Sequence, residues 1–120
     1  MSLSMNNRNR MIRLFDCYEG LLTDKQKTLF NYYFNEDLSL AEIAELMGTS
    51  RQAVHNSLNR CETALETYES NLGMLARSDD VERVLDEAID VISNALTTGL
   101  WQEEDLRKVL SHLTMTRKAD

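Results

Sequence analysis

One stretch, residues 39–60 with the sequence SLAEIAELMGTSRQAVHNSLNR, constrains the fold of this chain more than any other. Ser39 can cap a first helix, and the glutamate three residues later can reach back to complete a capping box. Gly48 follows that helix, at a point where a left-handed turn costs least without a Cβ atom. Ser50 can then cap a second helix beginning at Arg51. The stretch therefore predicts two short helices joined by a tight turn, which is a helix-turn-helix.

The second helix of this motif has an apolar side and a polar side. Val54 and Leu58 are spaced to point inward, with Ala53 beside them. Arginine, glutamine and asparagine make paired hydrogen bonds to base edges, so the outward side chains are candidate DNA contacts. They are Arg51, Gln52, His55, Asn56, Asn59 and Arg60. Because helix-turn-helix units also dock other proteins, the motif predicts its own fold more specifically than it predicts DNA binding.

Composition favours an all-α fold. The chain of 120 residues has no proline, and its four glycines all lie where a helix is expected to end. Residues that favour helix, such as leucine, glutamate, alanine and arginine, are frequent between them. This length fits one domain, or one domain with a helical extension.

Two helices are predicted before the motif. The first covers residues 7–20, where apolar residues recur at spacings of three and four. The second opens at Thr23, where Gln26 completes another capping box. Its aromatic residues, including Phe30 and Phe34, have helical spacing, which predicts packing in the core rather than stacking on bases.

The helix that begins at Arg51 is predicted to continue to Leu72, about 33 Å at about 1.5 Å per residue. Its apolar residues recur at alternating spacings of four and three, which is a heptad seam. A joint is predicted at residues 73–77, after which Ser78 caps a helix that ends at Gly99. A final helix begins near Trp101, which is predicted to pack between the last two helices, and a frayed tail follows from residue 114.

These elements predict a helix-turn-helix domain over residues 1–72 and a C-terminal helical hairpin over residues 73–120. The seam continues past the motif, and the last two helices have broad apolar faces. Either the hairpin folds back on the long helix, or a second chain completes the packing. We favour a homodimer built by the C-terminal half, because the long helix offers more seam than two short helices cover. Residues 1–4 precede a second methionine and could equally be an expression remnant or native sequence, so the fold prediction excludes them.

The charge distribution limits how this chain can meet a nucleic acid. Its net charge is −7, from 13 basic and 20 acidic residues, which counts against a protein that coats itself with phosphates. Residues 50–61 nevertheless hold two arginines and no acid. A small DNA-reading face on an acidic body is therefore expected, with low non-specific affinity.

Other classes of protein find little support in the sequence. No stretch approaches 18 apolar residues and no signal peptide is visible, so we expect no membrane insertion and a cytoplasmic location. Cys17 and Cys61 give no metal spacing and no disulfide framework. There is no glycine-rich phosphate loop and no nucleophile–base pair, so we expect neither an enzyme nor a bound cofactor or metal.

Residues 21–72 resemble the YlxM family of small bacterial helix-turn-helix proteins. The similarity is closest around LLTDKQ, SLAEIAE, SRQAV and LETYE, and residues 7–20 fit more loosely. That family in turn resembles region 4 of bacterial sigma factors, which reads promoter DNA. The resemblance implies a DNA-binding regulator in which Arg51, Gln52, His55, Asn56 and Arg60 contact DNA, although a promoter-reading helix usually carries more basic residues.

The resemblance also implies a second possibility. Genes of this family often lie beside those of the signal recognition particle, which suggests a role in that pathway. The alternative function is therefore an adaptor that binds a protein or ribonucleoprotein of the secretion machinery, without DNA specificity. Steep loss of affinity with salt would distinguish phosphate contacts from such docking.

Overall fold

The computed structural model describes residues 5–118, and this part of the chain contains α-helices with short 3₁₀ and π segments and no strand. The predicted all-α, helix-turn-helix fold is confirmed. Residues 1–4, which the fold prediction excludes, lie outside the described residues. In chain order the helices are α1 (Met5–Tyr18), a 3₁₀ turn (Glu19–Leu21), α2 (Asp24–Phe30), a π-helical turn (Asn31–Asn35), α3 (Leu40–Met47), α4 (Arg51–Leu72), α5 (Met74–Thr98) and α6 (Glu103–Lys118).

The predicted caps form at the starts of α2, α3 and α4. The Thr23 hydroxyl accepts a hydrogen bond from the Gln26 amide at 3.1 Å, and the Gln26 side chain accepts one from the Thr23 amide at 3.0 Å. Ser39 and Glu42 make the same reciprocal pair at 3.1 Å. Ser50 caps α4, since its hydroxyl accepts from the backbone N–H three residues on at 3.1 Å. Each box satisfies amides that a helix start otherwise leaves unpaired.

The chain divides into two compact units, one ending at Leu75 and the other beginning at Ala76. The first unit has an aromatic centre, in which the Phe15 and Phe30 rings stack at 4.2 Å and the Phe30 and Phe34 rings at 4.3 Å. Helices α1 to α4 all contribute to its core. Its buried residues are Met11, Leu14, Phe15, Tyr18, Leu22, Leu29, Phe30, Phe34, Ile43, Ala44, Val54, Leu58, Cys61, Leu65 and Leu75.

Cys61 lies fully inside this core. Burial raises the pKa of its thiol to about 11, so the thiol stays protonated and unreactive near neutral pH. It therefore serves as a small core residue, as its place on the heptad seam predicts.

Two arginines of α1 contact the protein itself. Arg8 donates to the carbonyl of Phe34 at 2.6 Å, and its guanidinium lies 5.5 Å from the centre of the Phe34 ring. Arg10 donates two hydrogen bonds, of 2.7 and 2.8 Å, to the Glu66 carboxylate, which lowers the pKa of that group. These contacts fix α1 against the π-helical turn and against α4.

The junction between α4 and α5 differs from the predicted joint. Helix α5 begins at Met74, so Ser78 lies inside it and does not cap it. Gly73 ends α4 in a left-handed conformation with φ of +63°. The buried Tyr18 hydroxyl accepts from the Met74 amide at 3.0 Å and donates to Glu69 at 2.6 Å. The Tyr18 hydroxyl therefore caps α5 where Ser78 was expected to, and Glu69 holds that hydroxyl in place.

Other boundaries also differ from the prediction. Helix α1 ends at Tyr18, two residues early, because a 3₁₀ turn takes over. Helix α6 begins at Glu103 and continues to Lys118 instead of fraying from residue 114. Trp101 is 62% exposed and does not pack between the last two helices, and Leu72 is also exposed, so the buried part of the seam ends before it.

The second unit contains most of α5 and all of α6. Val84 and Ala88 of α5 and Val109 of α6 are its buried apolar residues. His112 of α6 lies with its Nδ1 atom 2.9 Å from the Glu87 carboxylate of α5. The contact between His112 and Glu87 and the short connection over residues 99–102 make α5 and α6 a helical hairpin.

We predict that Gly48→Val lowers the free energy of unfolding by about 1–3 kcal/mol. Gly48 has φ of +65°, which a β-branched side chain rarely adopts, and no atom would crowd an added Cβ. The loss would therefore come from backbone strain alone. Gly20→Val is the matched control, because Gly20 also has open space around it but no positive φ. Urea unfolding of both variants measures the difference between their free energies of unfolding. Equal free energies for Gly48→Val and Gly20→Val would contradict the left-handed turn at Gly48.

Candidate nucleic-acid interface

The turn between α3 and α4 is closed by its own backbone. Gly48 adopts φ of 65° and ψ of 40°, and the Thr49 amide donates to the carbonyl of Ala44 at 3.0 Å. Satisfying the last carbonyls of α3 in this way ends the helix within one residue. Ser50 then starts α4 at once. Ile43 and Ala44 of α3 are buried with Val54 of α4, so the two helices form one packed helix-turn-helix.

The six predicted contacts do not all share one side of α4. The buried side of the helix is formed by Val54, Leu58 and Cys61, and Gln52, Asn56, Asn59 and Arg60 point away from it. His55 lies at the edge between the two sides, and Arg51, three residues before Val54, lies in the first turn on the side of the buried stripe. His55 is half-buried and the other five are exposed; all six are Arg51, Gln52, His55, Asn56, Asn59 and Arg60. No acidic side chain interrupts residues 50–61, so the outward side of the helix is a continuous, acid-free polar surface.

Two of these side chains are already paired with each other. The Gln52 Nε2 atom donates to the Asn56 Oδ1 atom at 3.1 Å, one helical turn away. The pair keeps the Gln52 carbonyl oxygen as an acceptor and the Asn56 amide nitrogen as a donor. A little further along, Arg60 donates to the Ser57 hydroxyl at 3.1 Å.

A shallow groove joins the starts of α3 and α4. Its lining brings Arg51, Gln52 and His55 next to the first turn of α3, which is not part of the predicted site. The capping serine of each helix accepts from one first-turn amide, and each helix start carries partial positive charge. The full lining is Ser39, Leu40, Ala41, Ser50, Arg51, Gln52 and His55.

A second groove, of about 380 Å³, lies on the other edge of α4. It places Lys25, from the first turn of α2, on the same side of the unit as Arg60. Lys25 and Ala41 could not be predicted from the sequence, because their positions depend on how α2 and α3 cross α4. The capping serine at the start of α3 is the one local signal that could have indicated the first groove.

Within residues 5–118, no group of three or more His, Cys, Asp or Glu side chains could hold a metal ion. None of the helices described above is both long enough and apolar enough to cross a membrane. The polar surface of α4 over residues 51–60 consists of amide, hydroxyl, imidazole and guanidinium side chains.

These features define a small all-α protein of the helix-turn-helix class. A family model described as "Putative helix-turn-helix protein, YlxM / p13 like" matches residues 5–106, and the chain belongs to that family, UPF0122. The predicted family is confirmed. The match extends well beyond residues 21–72, since it includes all of α5 and the start of α6.

Individual relatives agree with this assignment. A UPF0122 protein of Listeria innocua is 40% identical over 105 residues, covering 88% of this chain and 92% of the relative. One from Clostridium botulinum is 46% identical over 81 residues, covering 68% of this chain and 74% of the relative. One from Symbiobacterium thermophilum is 45% identical over 91 residues, covering 76% and 85%.

Proposed function

We propose that this protein is a cytoplasmic DNA-binding regulator that places α4 in a major groove. The observation that carries the proposal is the acid-free polar side of α4, which runs from Gln52 to Arg60 beside two helix starts. A major groove admits an α-helix, and base edges there present the donors and acceptors that such side chains recognise.

The groove between the starts of α3 and α4 suits a backbone phosphate. Two helix N-termini converge on it, and the arginine at its rim adds a full positive charge. A phosphate bound there would fix the register of α4 without reading any base. Arg60 and Lys25 at the second groove would contact another phosphate and hold the opposite edge of the helix.

The Gln52–Asn56 pair suits an adenine. After their mutual hydrogen bond, the pair offers one carbonyl acceptor and one amide donor to a ligand. Adenine presents the complementary pattern in the major groove, an N6 donor beside an N7 acceptor. Pairing the amides beforehand also reduces the conformational entropy lost on binding.

An adaptor function is the second candidate, and the overall charge favours it. The chain carries net charge −7, and Arg8 and Arg10 bind groups of the protein itself. Few cations therefore remain for phosphates. In this alternative, the same side of α4 or the acidic C-terminal helices would bind a protein or ribonucleoprotein of the signal recognition particle pathway.

The DNA-binding form that we propose is a homodimer. Two copies of α4 spaced about 34 Å apart would meet successive major grooves on one side of a duplex. A two-fold related pair would accordingly prefer a palindromic site.

Selection from random DNA tests the proposed class directly. We expect the full chain to recover an adenine-containing motif at low salt, with affinity that falls steeply toward physiological salt. Recovery of no motif at either salt concentration would exclude sequence-specific DNA binding. Affinity for a ribonucleoprotein that persists as salt rises would then support the adaptor.

Alanine substitution of the amide pair tests base reading. We predict that Gln52→Ala or Asn56→Ala costs about 1–3 kcal/mol on the selected site and little on random DNA. Arg60→Ala should instead weaken both about equally, because a phosphate contact carries no sequence information. Thr63→Ala, on an exposed position of the same helix, serves as the control. Equal losses on both DNAs for Gln52→Ala would remove the amide pair from base recognition.

A charge placed at the first groove tests the phosphate site. Ala41→Glu puts a carboxylate in the first turn of α3, where it should stabilise the helix yet repel a phosphate. We predict that DNA affinity falls on specific and random DNA alike, and that the salt slope shrinks by about one. Ala41→Gln has nearly the same shape without the charge and should bind normally. Fluorescence anisotropy measures both, and equal affinities would place the phosphate elsewhere.

A further inference from the structure

We propose that α5 and α6 form the surface through which two copies of this chain pair, with α5 of one copy against α6 of the other. The inference names the interface of the homodimer proposed above, and it does not depend on DNA binding. Four large apolar side chains on α5 first point to it. They are Leu85, Ile89, Ile92 and Leu96, exposed by 48, 58, 51 and 82%.

The spacing of these residues, which we call the α5 ladder, is four, three and four. That alternation places them on one narrow line along the helix, the seam that two helices use to interlock side chains. The ladder lies beside the buried Val84 and Ala88, not on the same line. Helix α5 therefore has one apolar edge already covered and a second one open to solvent.

Such a surface is unusual on a protein that acts alone. Scattered apolar residues are normal, whereas a continuous exposed row of leucine and isoleucine marks a contact surface. The net charge of −7 shows that the sequence has no shortage of polar residues for this face. The exposed Leu110 and Met115 of α6 extend the open apolar surface to the second helix of the hairpin.

The charges beside these apolar residues identify a second copy as the partner. Helix α5 has six acidic and two basic residues, a net charge of −4, while α6 has four basic and three acidic residues, a net charge of +1. All three acids of α6 lie in its first turn, so residues 106–118 carry only cations. The two helices of one hairpin thus have opposite charge.

The same opposition holds at the exposed apolar positions. On α5, Glu82, Asp86 and Asp90 follow the edge of the ladder that faces away from the buried residues. On α6, a shallow groove combines Leu110 and Met115 with two cations; its lining is Arg107, Leu110, Ser111, Thr114, Met115 and Lys118. The ladder and its acids match this apolar, basic groove in both hydropathy and charge.

In a dimer with a two-fold axis, the complementary contact between α5 and α6 occurs twice. When α5 of one copy contacts α6 of the other, symmetry repeats the contact in the opposite sense, and the pair closes. Pairing α5 with α5 would instead set acidic edges against each other. The structure thus favours a closed dimer with two equivalent α5–α6 contacts.

The first test measures mass in solution without DNA. Sedimentation equilibrium of the full chain at tens of micromolar should give a dimer. Ile89→Glu puts a charge into the ladder and should raise the dimer dissociation constant about 30-fold or more. Asn94→Glu adds the same charge to an exposed position of α5 off the ladder and should leave it unchanged. A monomeric full chain, or a dimer insensitive to Ile89→Glu, overturns the proposal.

The second test decides which helices meet. One variant carries Asp86→Lys and Asp90→Lys, and the other Arg107→Glu and Lys118→Glu. Each alone should dimerise weakly, because like charges then face each other across both contacts. Mixed in equal amounts, they should form a heterodimer, since both contacts again join opposite charges. Helical content by circular dichroism checks that both fold, and a mixture that stays monomeric rules out α5–α6 pairing.

Both tests separate this inference from the proposed DNA binding. Because mass is measured without DNA, a failed dimer leaves the DNA selection untouched. A dimer that selects no DNA motif would keep the interface and reject the function proposed for α4.

Discussion

The fold of the first unit depends on the burial of one side of α4. Val54, Leu58, Cys61 and Leu65 lie along this stripe with almost no exposed surface, and each helix before α4 packs toward it. A fully buried side chain of this size contributes about 1.5–3 kcal/mol, so the stripe holds several kcal/mol of stability. Because the stripe fixes how α4 rotates, it also fixes which side chains of α4 face solvent.

This dependence explains what the sequence could predict. The caps at Thr23, Ser39 and Ser50 involve residues three apart, and local chemistry alone determined them. The full extent of α4 followed from its heptad spacing. The start of α5 did not, because Tyr18 caps it from 56 residues away and no local pattern records that contact. In the candidate site, the exposed side of α4 was predictable, while Lys25 and Ala41 join it only through the crossing of helices.

The arginines of α1 show why charge counts alone mislead about function. Residues 8–13 hold three arginines and no acid, yet Arg8 binds a carbonyl beside the Phe34 ring and Arg10 binds Glu66. Their charge stabilises the packing of α1 and contributes little to a phosphate-binding surface. The cations that line the two grooves beside α4 are instead Lys25, Arg51 and Arg60. On the proposed function, electrostatic attraction to random DNA would be correspondingly small, and recognition would rest on the amides.

A DNA-binding protein with few cations gains the most affinity from forming a dimer. One copy of α4 would contact a small number of phosphates, so its affinity for a half-site would be modest. Joining two copies makes the second contact intramolecular, and the effective concentration of the second helix raises affinity without any added charge. The α5 ladder would then aid recognition indirectly. Its apolar contacts would join two copies and so raise the affinity for DNA, which the net charge of −7 lowers. Under the two proposals, dimerisation and sequence reading would be assigned to separate units of the chain.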